Sequence, residues 1–247
     1  MITFEAMKAI IFSAGLGTRL KQHTENRPKA LVEINGKPLL WHAIHKLTQS
    51  GVRLIVVNVH HFGDQIIDYI QQNHFDVPIL ISDERNELLD TGGGLLKAAS
   101  LLQGNEPIIA YNVDILSSID LNAVIDYHNQ NKALATLVVR KRQTSRYLLF
   151  DPAMQLSGWI NKANNDHIIT SPEFGNSQAL AFSGIQILSP QIFEHISETG
   201  KFPIIQLYLR LSKTEKIMAF NDESDFWLDA GRPEHLIIAE EWINQKL

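Results

Sequence analysis

An α/β fold built on a mostly parallel sheet is predicted by three features of this sequence. Apolar runs of strand length alternate with helical patterns through the first half of the chain, the alternation that β-α-β units require. Those runs are nearly continuous rather than alternating, as suits a sheet covered by helices on both faces. The first of them, Ala9-Ile10-Ile11-Phe12, stops at a glycine-rich turn, Ser13-Ala14-Gly15-Leu16-Gly17-Thr18-Arg19-Leu20.

Taken in order, the elements support that class. Leu39, Leu40, Ala43, Ile44 and Leu47 fall on one helical face, and Gly51 is a plausible stop. Leu54 to Val59 reads as a buried strand, and Asp64 to Asn73 as a short helix with Ile66, Ile67 and Ile70 inward. Val77 to Ile81 is the next strand, with Pro78 near its beginning, where a missing N–H is tolerated. Gly92-Gly93-Gly94 opens a helix through Leu102, and Ile108 to Tyr111 leads to Asn112-Val113-Asp114. Asp120 caps a helix to about Asn131, and Ala133 to Val139 is a strand. The second half is more hairpin-like. Tyr147 to Phe150 and Gln155 to Ile160 flank the turn signal Asp151-Pro152, and Ala179 to Leu188 is a further strand. Helices are expected over Pro190 to Ile196 and Pro203 to Lys213, then short strands at Ile217 to Phe220 and Phe226 to Leu228. A final helix starts at Pro233, whose fixed φ suits a first turn.

Bulk properties narrow the function classes. The chain has 247 residues, 45% of them hydrophobic, with no linker, low-complexity tract or internal repeat, so a single domain over 1–247 is expected. In particular there is no hexapeptide repeat that would build a C-terminal β-helix. No stretch approaches the ~20 apolar residues of a membrane span. The start, Met1 to Ala6, lacks a basic region leading into an apolar one, so no secretory signal is expected; Met7 is an alternative start. The absence of cysteine excludes disulfides, thiolate zinc sites and cysteine nucleophiles. A net charge of −5 argues against a nucleic-acid surface but not against a local basic pocket. A soluble cytoplasmic protein, a monomer or small homo-oligomer, is the expectation.

Four features carry chemistry, each where a strand ends or a helix begins. Glycines in the first turn let backbone amides approach an anion, and Arg19 and Lys29 can neutralise a polyphosphate. Asp90-Thr91-Gly92-Gly93-Gly94 reads as a helix N-terminus with bare amides for a base edge or a phosphate. Asp114 follows one strand and Asp229 another. Taken singly, either aspartate is better explained as a cap or turn residue. As a pair beside a phosphate-type loop they suit magnesium, which takes one or two carboxylates plus phosphate oxygens and water. Glu84 and Arg85, just before the glycine run, either touch the base or form a solvated charged loop. His60, His61, His42 and His45 need no role, and Trp41, Trp159 and Trp242 read as packing residues.

Together these motifs resemble the signature of the sugar-1-phosphate nucleotidylyltransferases. The resemblance rests on Ser13 to Leu20, Arg27-Pro28-Lys29-Ala30-Leu31, Gly36-Lys37-Pro38-Leu39 and Leu89 to Gly94, then Asn112-Val113-Asp114, Ala181 to Ile185 and Trp227 to Gly231, and so spans nearly the whole chain. It implies a Rossmann-like three-layer α/β/α fold with a mixed, mostly parallel central sheet. It also implies transfer of a nucleotide from a nucleoside triphosphate to a sugar 1-phosphate with Mg2+, and no nucleic-acid or membrane partner. Ala14, Gly15 and Gly17 then line the nucleotide, with Thr18 and Arg19 at the triphosphate and Lys29 at the α-phosphate. Thr91 and Gly92 lie at base and ribose, and Asn112 belongs to the nucleotide site. Asp114 and Asp229 hold the metal, Arg19, Lys29 and Asp114 form the catalytic set, and Asn161, Lys162, Ser183 and Gly184 take the sugar and its phosphate.

The short length, the Asp-Thr-Gly-Gly-Gly run and Phe182-Ser183-Gly184-Ile185 before Ser189-Pro190 are most similar to the branch that uses UTP and N-acetylmuramate 1-phosphate, for cell-wall precursor synthesis or recycling. Departures from the family pattern are Gln22-His23 before Thr24, Val113 before Asp114, and Asn161 in place of glutamate. The alternatives are a mannose-1-phosphate guanylyltransferase or another member of the family, and a nucleotide-sugar binder without turnover. A dinucleotide-dependent oxidoreductase is disfavoured, because Leu20 stands where the third fingerprint glycine belongs and Asn58 and His60 end the second strand.

Overall fold

The computed structural model describes residues 6–245, and the α/β expectation holds. The choice between Met1 and Met7 turns in part on a residue outside that range. β1 (Lys8–Phe12) leads into a loop with two 3-10 turns, Thr18–Thr24 and Lys29–Leu31, then a small hairpin of β2 (Glu33–Ile34) and β3 (Lys37–Pro38). α1 (Leu39–Gln49) buries the five-residue stripe that its spacing predicts, and Gly51 at φ +88° reverses the chain into β4 (Leu54–Val59). α2 (Gly63–Gln72), β5 (Ile79–Asp83), α3 (Asp90–Lys97) and β6 (Ile108–Asn112) follow. The helix expected to run to Leu102 instead ends at Lys97 and continues as a 3-10 turn over Ala99–Leu101. β5, β4, β1 and β6 lie side by side, all parallel. Every residue of β4 is buried, which is why its apolar run hardly alternates.

Beyond β6 come β7 (Ile115–Ser117) and α4 (Leu121–Asn131), whose N-cap Asp120 accepts from the Asn122 amide at 2.9 Å. β8 (Ala135–Arg140), β9 (Arg146–Phe150), β10 (Leu156–Asn161) and β11 (Asp166–Ile169) precede β12 (Gln178–Leu188). α5 (Ile204–Leu211), β13 (Ile217–Asn221), β14 (Trp227–Asp229) and α6 (Pro233–Asn244) complete the chain. β12 runs antiparallel to β6, β8 and β9, and β13 adds parallel to β8, so the ten-stranded sheet is mixed. The stretch Pro190–His195 is a 3-10 helix rather than an α-helix.

Successive side chains of the central strands divide between two apolar layers, as a sheet's pleat dictates. Ile11 and Val57 pack with α1, α4 and α6, whereas Ile10 and Val56 pack with α3 and α5. This is the three-layer α/β/α arrangement. Its consequence for function lies at the carboxyl edge of the parallel strands. Phe12 is in register with Asn58 on one side and Asn112 on the other, so three strand ends open onto one place.

Candidate active site

The loop after β1 is fastened before it reaches its glycines. The Ser13 and Ala14 amides both donate to Asn58 Oδ1, at 2.6 and 3.2 Å. Asn58 Nδ2 donates in turn to Glu84 Oε1 at 2.8 Å, and the Leu89 amide reaches Glu84 Oε2 at 3.4 Å. Glu84 is fully buried and is therefore a brace under the loop, not part of a solvated charged segment or a contact to a base. Burial pushes its carboxyl above the usual carboxylate range, against the two hydrogen bonds that favour its charge. With the first amides spent, those left for an anion start at Gly15. Gly15 and Leu16 are exposed, and Gly17 takes φ +66° while Thr24 Oγ1 donates to its carbonyl at 3.0 Å.

Two carboxylates meet beyond that loop. β14 pairs antiparallel with β7, placing Asp229 opposite Ile115 and so beside Asp114; the Ala230 amide donates to the Asp114 carbonyl at 2.8 Å. Lys29 Nζ lies 2.7 Å from Asp114 Oδ2, and both terminal nitrogens of Arg19 lie 3.3 Å from Asp229 Oδ2. Arg19 also stands 3.9 Å from Asp114 Oδ2. Burial raises the pKa of Asp229. The Gly231 amide on its Oδ1 and the neighbouring Arg19 and Lys29 charges together outweigh that and hold the carboxyl below its ordinary value. Asp229 is thus ionised throughout the neutral range.

These four side chains form one end of a cavity of about 450 Å³. Ala14, Gly15 and Asn112 also line it, while Gly17 and Thr18 do not: Gly17 packs against Thr24 and Lys29, and Thr18 is exposed. On the opposite wall the structure changes the reading of the glycine run. Asp90 and Thr91 line the cavity, but the Gly92 and Gly93 amides both donate to the Phe202 carbonyl, at 2.9 and 3.3 Å. They are not bare, and Gly92 is not in the lining. A Cβ on Gly92 would lie 2.3 Å from the Phe202 ring and one on Gly93 2.3 Å from the Gly200 carbonyl oxygen, so these glycines serve close packing of helix on loop.

Another wall of the cavity comes from an irregularity in β12. Its register with β8 shifts between Phe182 and Gln186, and Gly184 there takes φ +77°. Such a bulge re-aims side chains next to a site. Ser183 and Gly184 line the cavity, and the Ser183 hydroxyl is buried without a protein partner. Asn161 and Lys162 are not brought into this lining. Asn161 Oδ1 accepts from the Ala163 amide, and Lys162 Nζ sits 4.6 Å from the centre of the Tyr147 ring, which lines a second cavity. Trp159 also lines that second cavity, whereas Trp242 stacks on Phe226 as a packing residue.

Two cations of the main lining were not singled out from sequence, Arg142 and Lys201. Arg142 ends the basic run Arg140-Lys141-Arg142 after a strand, a signal that strand-end logic could have used. Lys201 carries no local signal, since its loop is placed by bonds to α3 from residues far away in sequence.

Comparison with known proteins is consistent with this geometry. The family model described as nucleotidyl transferase matches residues 8–246. The N-acetylmuramate alpha-1-phosphate uridylyltransferase of Caulobacter vibrioides is 30% identical over 239 residues, covering 94% of this chain and 95% of its own. The mannose-1-phosphate guanylyltransferase catalytic subunit beta of Drosophila pseudoobscura pseudoobscura is 27% identical, over 93% of this chain and 60% of its own. Among solved structures, HddC from Yersinia pseudotuberculosis complexed with GMP-PN superposes with a TM-score of 0.77 at 25% identity, over 96% of this chain and 99% of the other.

Proposed function

The chain belongs to the nucleotidyl transferase family, and from that premise we propose that it joins a nucleoside triphosphate to a sugar 1-phosphate, with UTP and N-acetylmuramate 1-phosphate the favoured pair. The observation that carries the reading is the cluster of Arg19, Lys29, Asp114 and Asp229, built by segments up to 210 residues apart at the open end of the parallel strands. The uridylyltransferase relative supports the substrate choice, because it is matched along nearly its whole length. The guanylyltransferase relative makes GTP and mannose 1-phosphate the second candidate pair.

In the proposed reaction a phosphate oxygen of the sugar 1-phosphate attacks the α-phosphorus of the triphosphate. A new P–O bond forms, the α–β bridge breaks on the far side, and its electron pair leaves with pyrophosphate. The nucleophile is already anionic, so no general base is needed; the obstacle is gathering two polyanions and spreading the developing charge. Arg19 and Lys29 supply fixed positive charge where the triphosphate enters, and the fastened loop holds Gly15 at the cavity wall. The donor set fits Mg2+: two hard carboxylates and, among the described residues, no cluster of three or more potential ligands, which leaves coordination positions for phosphate oxygens and water. Asp114 and Asp229 would hold the ion, which supplies Lewis-acid neutralisation of the phosphates. In the structure Lys29 and Arg19 cover those carboxylates, and on substrate entry they would turn from the aspartates to phosphate. No helix among the described residues is long and apolar enough to cross a membrane; a cytoplasmic place in cell-wall precursor synthesis or recycling belongs to the same proposal.

A panel of the four nucleoside triphosphates against several sugar 1-phosphates, read by pyrophosphate release, tests this. UTP with N-acetylmuramate 1-phosphate should be fastest, and Asp114→Asn should cut that rate on the order of a thousandfold. Near-normal turnover by Asp114→Asn would remove the metal assignment, and binding without pyrophosphate release for every pair would make the protein a nucleotide-sugar binder.

A further inference from the structure

A second cavity of about 440 Å³ adjoins the first and shares Arg142 and Phe182 with it. Its chemistry is unlike that of the catalytic end. Arg142, Arg146, Tyr147 and Trp159 are in its walls, and no aspartate or glutamate lines it. Lys162 Nζ, 4.6 Å from the centre of the Tyr147 ring, adds a third positive charge nearby. The space therefore combines positive potential with apolar aromatic surface.

Arg142 is the residue at the junction. Its Nη2 donates to the Phe182 carbonyl at 2.9 Å, and its guanidinium lies 4.5 Å from the centre of the Trp227 ring. Its Nε is buried and has no partner. Whereas Arg19 and Lys29 sit against carboxylates, Arg142 makes no ion pair among the described residues. Burial lowers its pKa from the usual guanidinium range, the mark of a charge removed from water without full compensation. A half-buried guanidinium that no contacting carboxylate neutralises favours an anionic ligand, and its planar fork matches a carboxylate.

We infer that this second cavity receives the non-reacting end of the sugar 1-phosphate and that Arg142 selects acceptors carrying a carboxylate there. The inference rests on the transfer reaction proposed above. With the acceptor's phosphate at Asp114 and Asp229, its ring lies along Ser183 and Gly184, and ring substituents extend past Phe182. A lactyl ether meets Arg142 with its carboxylate, and an acetamido methyl meets the aromatic wall. Neutral hexose 1-phosphates leave Arg142 without an anionic partner, so they are disfavoured there.

The decisive measurement is the ratio of kcat/KM for N-acetylmuramate 1-phosphate to that for N-acetylglucosamine 1-phosphate, which differ by the lactyl ether alone. Both values come from one protein sample, so a loss of folded enzyme cancels. The wild type should prefer the carboxylated sugar, and Arg142→Gln should lower that preference on the order of a hundredfold, chiefly by loss on the carboxylated substrate. Arg142→Lys, which retains charge without the fork, should fall between. Equal losses on both sugars would overturn the inference and place Arg142 on a group they share, such as the phosphate. A wild type indifferent to the lactyl group would overturn it while leaving nucleotidylyl transfer intact. Pyrophosphate release with mannose 1-phosphate but with neither of these sugars would overturn this inference alone, and its absence with all three sugar phosphates and any of the four triphosphates would overturn the transfer reaction as well.

Discussion

Gly231 shows how narrowly the acid pair is built. Its amide donates to Asp229 Oδ1 at 2.8 Å, and a Cβ there would stand 2.6 Å from both Asp229 Oδ1 and Arg19 Nη2, and 3.1 Å from Asp114 Oδ2. Those neighbours are tips of movable side chains, so the fold can absorb a methyl group while the site cannot. Gly231→Ala should therefore leave the melting temperature within a few degrees of wild type and, on the proposed reaction, lower kcat by about a hundredfold, the cost of displacing positioning groups by about an ångström. A melting curve beside a pyrophosphate assay separates the two effects; loss of folding with proportional loss of activity would refute this role. The aspartates, Arg19 and Lys29 were legible in sequence because strand ends near a glycine loop are where charge is used. The importance of Gly231 was not, because its crowding comes from Arg19, a residue distant in sequence.

At the scale of elements, α3 shows how a glycine run can mislead. Its first turn looks like an anion cradle, yet the Phe202 carbonyl takes two of its amides, and Ile204 donates its amide to Thr91 Oγ1 at 3.1 Å. The glycines let the loop before α5 lie against the helix. Gly93→Ala would press its methyl group 2.3 Å from the Gly200 carbonyl oxygen, backbone that cannot swing aside. It should destabilise the protein by about 1–3 kcal/mol, as overpacking does. Denaturant melts should show that loss, with the nucleotide Kd of the folded fraction little changed; a large rise in Kd without destabilisation would restore the phosphate-binding reading. β12 differs in kind. Its apolar pattern is plain in sequence, but the bulge that aims Ser183 into the cavity is a matter of register between strands, which no local pattern encodes. β11 escaped notice for another reason: as an edge strand with three exposed residues in four, it lacks the apolar run that marks its neighbours.

The whole molecule is held together across its sheet, and one of its ties is sensitive to pH. His128 on α4 is buried, with Nδ1 2.9 Å from Thr136 Oγ1 on β8 and Nε2 3.0 Å from Ser189 Oγ. Ser189 spends its own hydrogen on the Ala133 carbonyl at 2.7 Å, so Nε2 donates to it and Nδ1 accepts from Thr136, the pattern of a neutral ring. Burial lowers the His128 pKa from 6.5 to about 4. The unfolded chain then binds the proton more readily than the native one, so the contribution is complete above about pH 6.5 and is lost as pH falls toward 4. The full loss is about 3 kcal/mol, from roughly 1.4 kcal/mol for each pKa unit. Thermal melts between pH 7 and 4 should show a fall in Tm that His128→Leu flattens; an unchanged slope in that variant would exclude His128 as the sensor. What the sequence by itself determined is the set of parts: apolar runs of strand length, amphipathic helical faces, a glycine loop with two cations, and two aspartates at strand ends, each encoded within a few neighbouring residues. What only the tertiary structure decided is which groups are spent and which are left free. Asn58 takes the first loop amides, Phe202 takes those of α3, and Arg142 keeps a donor unpaired between two cavities. The physical reason is that a hydrogen bond or a burial cost belongs to a pair of groups, and here those pairs lie dozens to hundreds of residues apart along the chain.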